Sequence, residues 1–250
     1  MGSASAEAIM QMDGHLLEVL CPTDPPLLHF YRWDSPSLTF GHFVALERHL
    51  DLTQARQRGL SWARRPTGGG IVFHLWDLAF SFLMPSAHAA FSPNPLENYH
   101  FVNALVLEAV QAVYPCSASA QLIQTAPTTA HFCMAQPTQY DVVYQGRKIA
   151  GAAQRRRKQG YLHQGTISLA WPEEELLRGV LLSQDVVEAM LHHSFAPLGK
   201  VETPEILEEA RAKIEQQLTH KFMEKLGGDL VPWMDHVEIE GKNSHHPHPC

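Results

Sequence analysis

The chain has 250 residues, of which 45% are hydrophobic and 18% are charged, so it is long and apolar enough to bury a substantial core. Its formal charge of −7 at pH 7 argues against nonspecific nucleic-acid binding, and the absence of a run of about 18 apolar residues argues against a membrane span. The start of the chain lacks a basic segment followed by an apolar stretch, and the four cysteines form no CxxC pair. We therefore expect a cytoplasmic protein without a bound metal.

The first two thirds of the chain alternate between strand and helix patterns, which is typical of a mixed α and β fold. Gln145-Gly146 lies between two strand patterns and is a tight-hairpin signal. Strands are predicted within 28–40 and at 71–73, 78–83, 140–144, 148–152 and 162–169, and helices at 45–59 and 96–113.

The last third of the chain carries helical patterns. The longest begins at Thr203, a favoured N-cap that is followed by proline, and it ends at Gly227. The tail, residues 236–250, is rich in histidine, and we expect it to be disordered rather than to bind metal. Two shorter helices are predicted at 173–182 and 185–192.

The most informative stretch is RRPTGGGIVFH, residues 64–74. Three consecutive glycines remove every side chain from a short loop, so a ligand can lie against the backbone. They also permit the positive φ angles that point successive N–H groups at a carboxylate or phosphate. Arg64 and Arg65, just before the glycines, add fixed positive charge. Taken alone, these residues are also compatible with a flexible hairpin.

A second informative stretch surrounds Lys148, which follows the predicted hairpin turn inside an apolar strand. Its small neighbours at 149–153 leave room for a ligand. Such a lysine either reaches from the strand end to solvent or points at a buried anion.

A cluster of basic residues interrupts this otherwise acidic sequence. It is either a solvated turn or a docking surface for an anion or an acidic partner protein. Its members are Arg147, Lys148, Arg155, Arg156, Arg157 and Lys158.

Together, RRPTGGGIVFH, YDVVYQGRKIAGAAQRR (140–156) and LHQGTISL (162–169) closely resemble the superfamily of lipoate–protein ligases, biotin–protein ligases and octanoyl or lipoyl transferases. The resemblance covers roughly residues 10–195. It implies an α+β fold, in which helices flank a mixed β-sheet domain of the biotin/lipoate ligase catalytic type. We expect this domain to span 1–195, followed by a helical C-terminal segment at 196–235 and the histidine-rich tail at 236–250.

The resemblance also implies functional residues. Lys148 matches the catalytic lysine, which holds the acyl carbonyl or acyl phosphate. The other matches are to the ligand-binding loop, at Arg64, Thr67, Gly68, Gly69, Gly70 and His74, and to the acyl pocket, at Gly151, Ala152 and Gly165.

The family divides into transferases that work through a cysteine thioester and ligases that activate lipoate with ATP. Cys133 precedes Pro137, Thr138 and Tyr140 in the register of the transferases' cysteine motif, although Met134 replaces their phenylalanine. A thiol near Lys148 would be biased towards the reactive thiolate, whereas the alternative is a buried cysteine that only packs. The sequence favours a transferase with Cys133 as a second catalytic residue, and an ATP-dependent ligase is the alternative.

The implied reaction is the transfer of an octanoyl or lipoyl group to the lysine of a lipoyl domain. The expected acceptors are the lipoyl domains of 2-oxoacid dehydrogenases or the glycine cleavage H protein, with acyl carrier protein as the donor for a transferase. No tightly bound cofactor is expected, and ATP and magnesium are needed only by a ligase. A non-catalytic binder of lipoyl domains is a third interpretation, which the intact glycines and Lys148 disfavour.

Overall fold

A computed structural model describes residues 3–123 and 139–232 of the chain. The helices are α1 (Ala6–Val19), α2 (Leu52–Gln57), α3 (Pro95–Val113), α4 (Glu174–Val180), α5 (Gln184–His193) and α6 (Pro204–Leu226). The strands are β1 (Leu27–Phe30), β2 (Ser37–Phe40), β3 (Ser61–Arg64), β4 (Ile71–His74), β5 (Asp77–Pro85), β6 (Gln121–Leu122), β7 (Val142–Tyr144), β8 (Arg147–Arg157), β9 (Gly160–Ser168) and β10 (Val231–Pro232).

The strands form two sheets. The larger has the order β10-β1-β5-β9-β8-β7-β6, with parallel pairing between β1 and β10 and antiparallel pairing elsewhere. The smaller has the order β3-β2-β4, with β2 parallel to β3 and antiparallel to β4. The mixed-sheet α+β fold expected from the sequence is therefore confirmed.

Helices cover both faces of the larger sheet. Phe82 of β5 packs on Phe222 of α6, with 4.5 Å between the ring centroids. The next residue, Leu83, belongs to a separate apolar cluster with Leu17 of α1. Because successive side chains of a strand point to opposite faces, α6 and α1 lie on opposite sides of β5. Strands β5 and β9 are consequently buried along their whole length.

Local sequence signals define several elements as predicted. The hairpin between β7 and β8 turns at Gln145 and Gly146, whose φ angles of 50° and 76° suit a two-residue turn. Helix α6 begins after Thr203 and ends at Gly227, which adopts a left-handed conformation with φ 67°. No helix within 3–123 and 139–232 combines the length and the apolar character that crossing a membrane requires.

Helix α1 was not predicted from the sequence. Its first turn is capped by the Ser5 side chain, which accepts a hydrogen bond from the Ala8 amide. Its apolar side is interrupted by a buried carboxylate, Asp13, so the segment lacks a clean amphipathic pattern. The helix contacts β2, β3 and β9 and thereby joins the two sheets.

Candidate active site

A narrow pocket, partly open to solvent, lies between the two sheets. The smaller sheet contributes β2 and β4 to its wall, and the larger sheet contributes β8 and β9. The lining residues are Tyr31, Thr39, Arg65, Val72, His74, Lys148, Gly151, Ala152, Ala153, Gln164, Gly165 and Thr166.

Lys148 lies in the pocket wall, although its side chain is only 1% exposed. Its Nζ atom is 2.7 Å from Oδ2 of Asp141, a carboxylate that is itself buried. A methyl group at Gly151 would be 2.3 Å from both Cε and Nζ of Lys148. Gly151 therefore makes room for the lysine side chain, which the tight turn at Gln145-Gly146 places at the start of β8.

Arg65 forms hydrogen bonds to the glycine loop, by which we mean residues 67–70. One guanidinium nitrogen of Arg65, Nη2, donates hydrogen bonds to the carbonyl oxygens of Gly68 at 3.0 Å and Gly70 at 2.8 Å. The other, Nη1, donates to Oγ1 of Thr39 at 2.8 Å. Gly69 has a φ of 85°, a conformation that strongly favours glycine.

The structure places Arg65, and not Arg64, at the pocket. Arg64 is exposed, and its Nη1 donates to the carbonyl oxygens of His42 and Val44 outside the pocket wall. The physical reason is the strand period: Ala63 and Arg65 are buried, while Arg64 points to the opposite side. A ligand-binding role for Arg64 therefore stays a prediction, and Arg65 is the member of the pair that lines this pocket.

The three loop glycines lie beside the pocket. Gly68, Gly69 and Gly70 do not belong to the wall that the described residues form, whereas Arg65 and Val72 flank the loop and do. Thr67 is buried, and its hydroxyl donates to Oε1 of Gln164 at 2.7 Å. Direct contact between the glycines and a ligand stays a prediction.

His74 lines the pocket, and both of its ring nitrogens have hydrogen-bond partners. Nδ1 is 2.8 Å from Oδ2 of Asp77, and Nε2 is 2.8 Å from Oγ1 of Thr39. Because Thr39 accepts from Arg65, its own hydroxyl hydrogen is available to His74. Trp33 stacks on the ring with 4.5 Å between the centroids. This arrangement makes His74 a support for Thr39 and Arg65 rather than an open general base.

The predicted acyl-pocket residues Gly151, Ala152 and Gly165 do lie together in the wall. Ala152 and Gly165 are paired in register between β8 and β9. A methyl group at Gly165 would approach Phe80 Cζ to 2.5 Å. The Phe80 ring therefore leaves no room for a side chain at position 165. The missing side chain also leaves space in the pocket, which Gly165 lines.

Several polar residues around the pocket were not predicted from the sequence. Tyr31 lines it, and burial, followed by the charge of Asp13, raises the pKa of Tyr31 well above its usual value. Gln164 lines it between Thr67 and Asp13, and Asp141 holds Lys148. Only Asp141 carried a local signal, because it directly precedes β7, the strand that the hairpin pairs with β8.

Two predictions fall outside the described residues: Cys133 as a second catalytic residue, and the disordered histidine-rich tail. Within 3–123 and 139–232, no group of three or more histidine, cysteine or acidic side chains could hold a metal ion.

The chain combines a two-sheet α+β fold with a narrow pocket that holds a buried lysine. The sequence matches the family model of the lipoyl protein ligase A/B catalytic domain over residues 5–198, and the chain belongs to this family.

Curated relatives include bacterial octanoyltransferases called LipM. The protein from Geobacillus kaustophilus is 32% identical over 178 residues, which cover 68% of this chain and 64% of that relative. The one from Anoxybacillus flavithermus is 30% identical over 202 residues, which cover 78% of this chain and 72% of the relative. The chain thus spans about two thirds of the length of these relatives.

Solved structures share the fold. A putative lipoate protein ligase from Thermoplasma acidophilum with bound lipoic acid superposes with a TM-score of 0.67 at 22% identity, covering 92% of this chain and 86% of that one. A lipoate-protein ligase A bound with ATP gives a TM-score of 0.69 at 21% identity, covering 94% and 88%.

Proposed function

We propose that this protein transfers an octanoyl or lipoyl group to the side-chain amine of a lysine in a lipoyl domain. The single observation that carries the proposal is the buried Lys148 ammonium, held by Asp141 in the wall of a narrow pocket. Membership of the lipoyl protein ligase A/B family and the octanoyltransferase relatives support the same reaction.

The pocket suits an extended acyl chain. The small residues Gly151, Ala152, Ala153 and Gly165 form one part of its wall, and Val72 adds apolar surface. An apolar chain laid against them leaves water, which is favourable by about 0.8 kcal/mol for each buried methylene group. The carbonyl end of the acyl chain then lies towards Lys148, the cation that β8 contributes to the pocket wall.

The reaction builds negative charge on the acyl oxygen. The acceptor amine attacks the carbonyl carbon, the C=O π electrons move to oxygen, and the oxyanion then collapses with expulsion of the leaving group. A fixed ammonium in a site that excludes water stabilises this oxygen without reorganisation. We assign that role to Lys148, and we assign to Asp141 the task of holding the lysine side chain in position.

The acyl donor we propose is a thioester on acyl carrier protein, with Cys133 as the intermediate carrier. The Cys133 thiolate attacks the donor carbonyl, a new C–S bond forms, the donor C–S bond breaks, and the donor sulfur leaves as a thiolate that takes up the proton lost by Cys133. The acceptor amine then attacks the enzyme thioester, an amide forms, and the Cys133 thiol is released with the proton. Support comes from the register of Cys133 with the transferase motif and from the octanoyltransferase names of the relatives.

The acceptors we propose are lipoyl domains of 2-oxoacid dehydrogenases or the glycine cleavage H protein. A solved structure of similar fold comes from an archaeal lipoylation system of Thermoplasma acidophilum, which has a bipartite lipoate protein ligase and an E2 lipoyl domain. An exposed basic pair, Arg157 and Lys158, lies at the end of β8 and suits an acidic partner.

Two donors offered in parallel test the proposal. An apo-lipoyl domain is incubated with the enzyme and either octanoyl-acyl carrier protein without ATP, or free lipoate with ATP and magnesium. We expect the acceptor to gain the mass of one octanoyl group in the first reaction. Modification only in the second would make this protein an ATP-dependent ligase, in which Lys148 holds the activated acyl group and Cys133 has no chemical role.

A further inference from the structure

A fully buried carboxylate on α1 is not used by the reaction outlined above. Asp13 is 0% exposed and lies at the junction of α1 with β1, β5 and β9. Its Oδ1 accepts a hydrogen bond from the Ser81 hydroxyl at 2.9 Å, and its Oδ2 accepts from the Tyr31 hydroxyl. Oδ2 also accepts from Nε2 of Gln164 at 2.7 Å.

Gln164 connects this carboxylate to the glycine loop. Its Nε2 faces Asp13, and its Oε1 accepts from the Thr67 hydroxyl at 2.7 Å. An ionised carboxylate only accepts hydrogen bonds, so the NH2 end of the amide must face Asp13. The carbonyl end must then face Thr67, and Thr67 must donate. Asp13 therefore determines that Thr67 of the glycine loop faces the carbonyl oxygen of the Gln164 amide and not its NH2 group.

The loop from Thr67 to Gly70 is held by a backbone hydrogen bond at each of its ends. Its carbonyl oxygen accepts from the His42 amide at 2.9 Å, and the Gly70 carbonyl accepts from the Gly41 amide at 3.1 Å. The loop therefore lies close against the segment at Gly41, where a methyl group would meet Gly69 O at 1.9 Å.

We propose that Asp13 is a positioning residue that orders the glycine loop through Gln164 and Thr67. The proposal deepens the function proposed above, since the ordered loop and the pocket beside it are what the acyl substrate would meet. Helix α1 thus sets the shape of a loop more than 50 residues further along the chain, through three buried side chains.

Hydrogen exchange of the Gly41 and His42 amides, which donate to the loop carbonyls of Gly70 and Thr67, tests this directly. Asp13→Asn keeps the shape of the side chain but no longer dictates the orientation of the Gln164 amide. We expect these amides to exchange about three- to tenfold faster, the effect of losing one net hydrogen bond. Ser81→Ala is the matched control, because it removes another donor to Asp13 and leaves the side-chain hydrogen bonds of Gln164 to Asp13 and Thr67 in place, so exchange of these two amides should stay unchanged.

A double-mutant cycle shows whether Asp13 and Thr67 act through the same relay, the chain of hydrogen bonds from Asp13 through Gln164 to Thr67, or independently. Thr67→Val breaks the far end, and we expect the Asp13→Asn/Thr67→Val protein to exchange no faster at the Gly41 and His42 amides than Thr67→Val alone. Additive effects, or unchanged exchange of these amides in folded Asp13→Asn, would overturn the proposal. If Asp13→Asn does not fold, Gln164→Met breaks the relay in its middle, and unchanged exchange of these amides there overturns it equally.

Turnover gives a second readout that depends on the proposed function. Asp13→Asn should raise KM for the acyl donor several-fold and leave kcat within about twofold, because loop order affects substrate binding rather than the chemical step. Hydrogen exchange does not require any acyl transfer. If the wild-type protein modifies no lipoyl domain but the loop loosens as described, the proposed function fails and the role of Asp13 stands.

Discussion

The ammonium of Lys148 and the carboxylate of Asp141 form an ion pair 2.7 Å long, and both side chains are almost completely buried at the pocket. A buried charge left without its partner is costly, on the order of 3–5 kcal/mol. Removing the lysine alone therefore changes stability as well as chemistry, and the test of Lys148 must account for both.

We expect Lys148→Met to lower turnover at least about a hundredfold, the scale for loss of one electrostatic contact in the transition state. It should also lower the melting temperature, because Asp141 is left behind. The double variant Lys148→Met/Asp141→Asn should recover most of the melting temperature and none of the turnover. Near-normal turnover in the folded double variant would remove Lys148 from the active site.

Gly151→Ala probes the space that Lys148 occupies. The added methyl group would lie 2.3 Å from the lysine Nζ and 3.0 Å from Asp141 Oδ1, so the ammonium must move. We expect a decrease in kcat of at least tenfold, since a shift of about 1 Å at reacting groups has effects of that order or larger. Gly14→Ala in α1 is the control, because its methyl group has an ordinary contact at 3.9 Å. Equal kcat values for the two variants would count against a positioned ammonium.

The basic cluster divides into structural and exposed members. Arg155 donates to the Pro66 carbonyl at 3.0 Å, and Arg156 is exposed but lies over the Phe91 ring; Arg157 and Lys158 are also exposed. Charge reversal of Arg157 and Lys158 should raise KM for the protein substrates and flatten its dependence on salt, with kcat unchanged. An unchanged KM and salt slope would identify the pair as a solvated turn.

The burial of His163 leads us to expect a specific dependence of the free energy of unfolding on pH. Burial lowers the pKa of His163 to about 3, so the folded protein holds the ring neutral, whereas the unfolded chain binds a proton below about 6.5. The free energy of unfolding should therefore fall as the pH falls below about 6.5, by up to about 1.4 kcal/mol per pH unit from this group. Urea unfolding between pH 5 and 7 measures this slope, and His163→Gln should reduce it by about one proton. The same slope in both proteins would assign the acid sensitivity elsewhere.

Cys133 decides between thioester and adenylate chemistry. Wild-type enzyme mixed with octanoyl-acyl carrier protein should gain one octanoyl mass that hydroxylamine removes, and Cys133→Ser should form no thioester, because serine is a far weaker nucleophile at neutral pH. Full activity of Cys133→Ala with lipoate and ATP would instead assign the cysteine to packing and the protein to the ligases.

Local signals in the sequence were sufficient for part of the site. The hairpin turn at Gln145-Gly146 fixes the start of β8, and this places Lys148 in the pocket wall as predicted. The choice between Arg64 and Arg65 depended on which face of β3 is buried, and the two arginines carry no local signal for that. Asp13 was missed because its partners Tyr31, Ser81 and Gln164 lie 18 to 151 residues away in the chain.

The most direct measurement of the central claim is the intact mass of an apo-lipoyl domain after incubation with octanoyl-acyl carrier protein and this enzyme. We predict a gain of one octanoyl group on the acceptor lysine, no gain when that lysine is replaced by arginine, and at least about a hundredfold slower gain with Lys148→Met/Asp141→Asn. An acceptor that stays unmodified with this donor and also with lipoate, ATP and magnesium would contradict the assignment of this protein as a lysine acyltransferase.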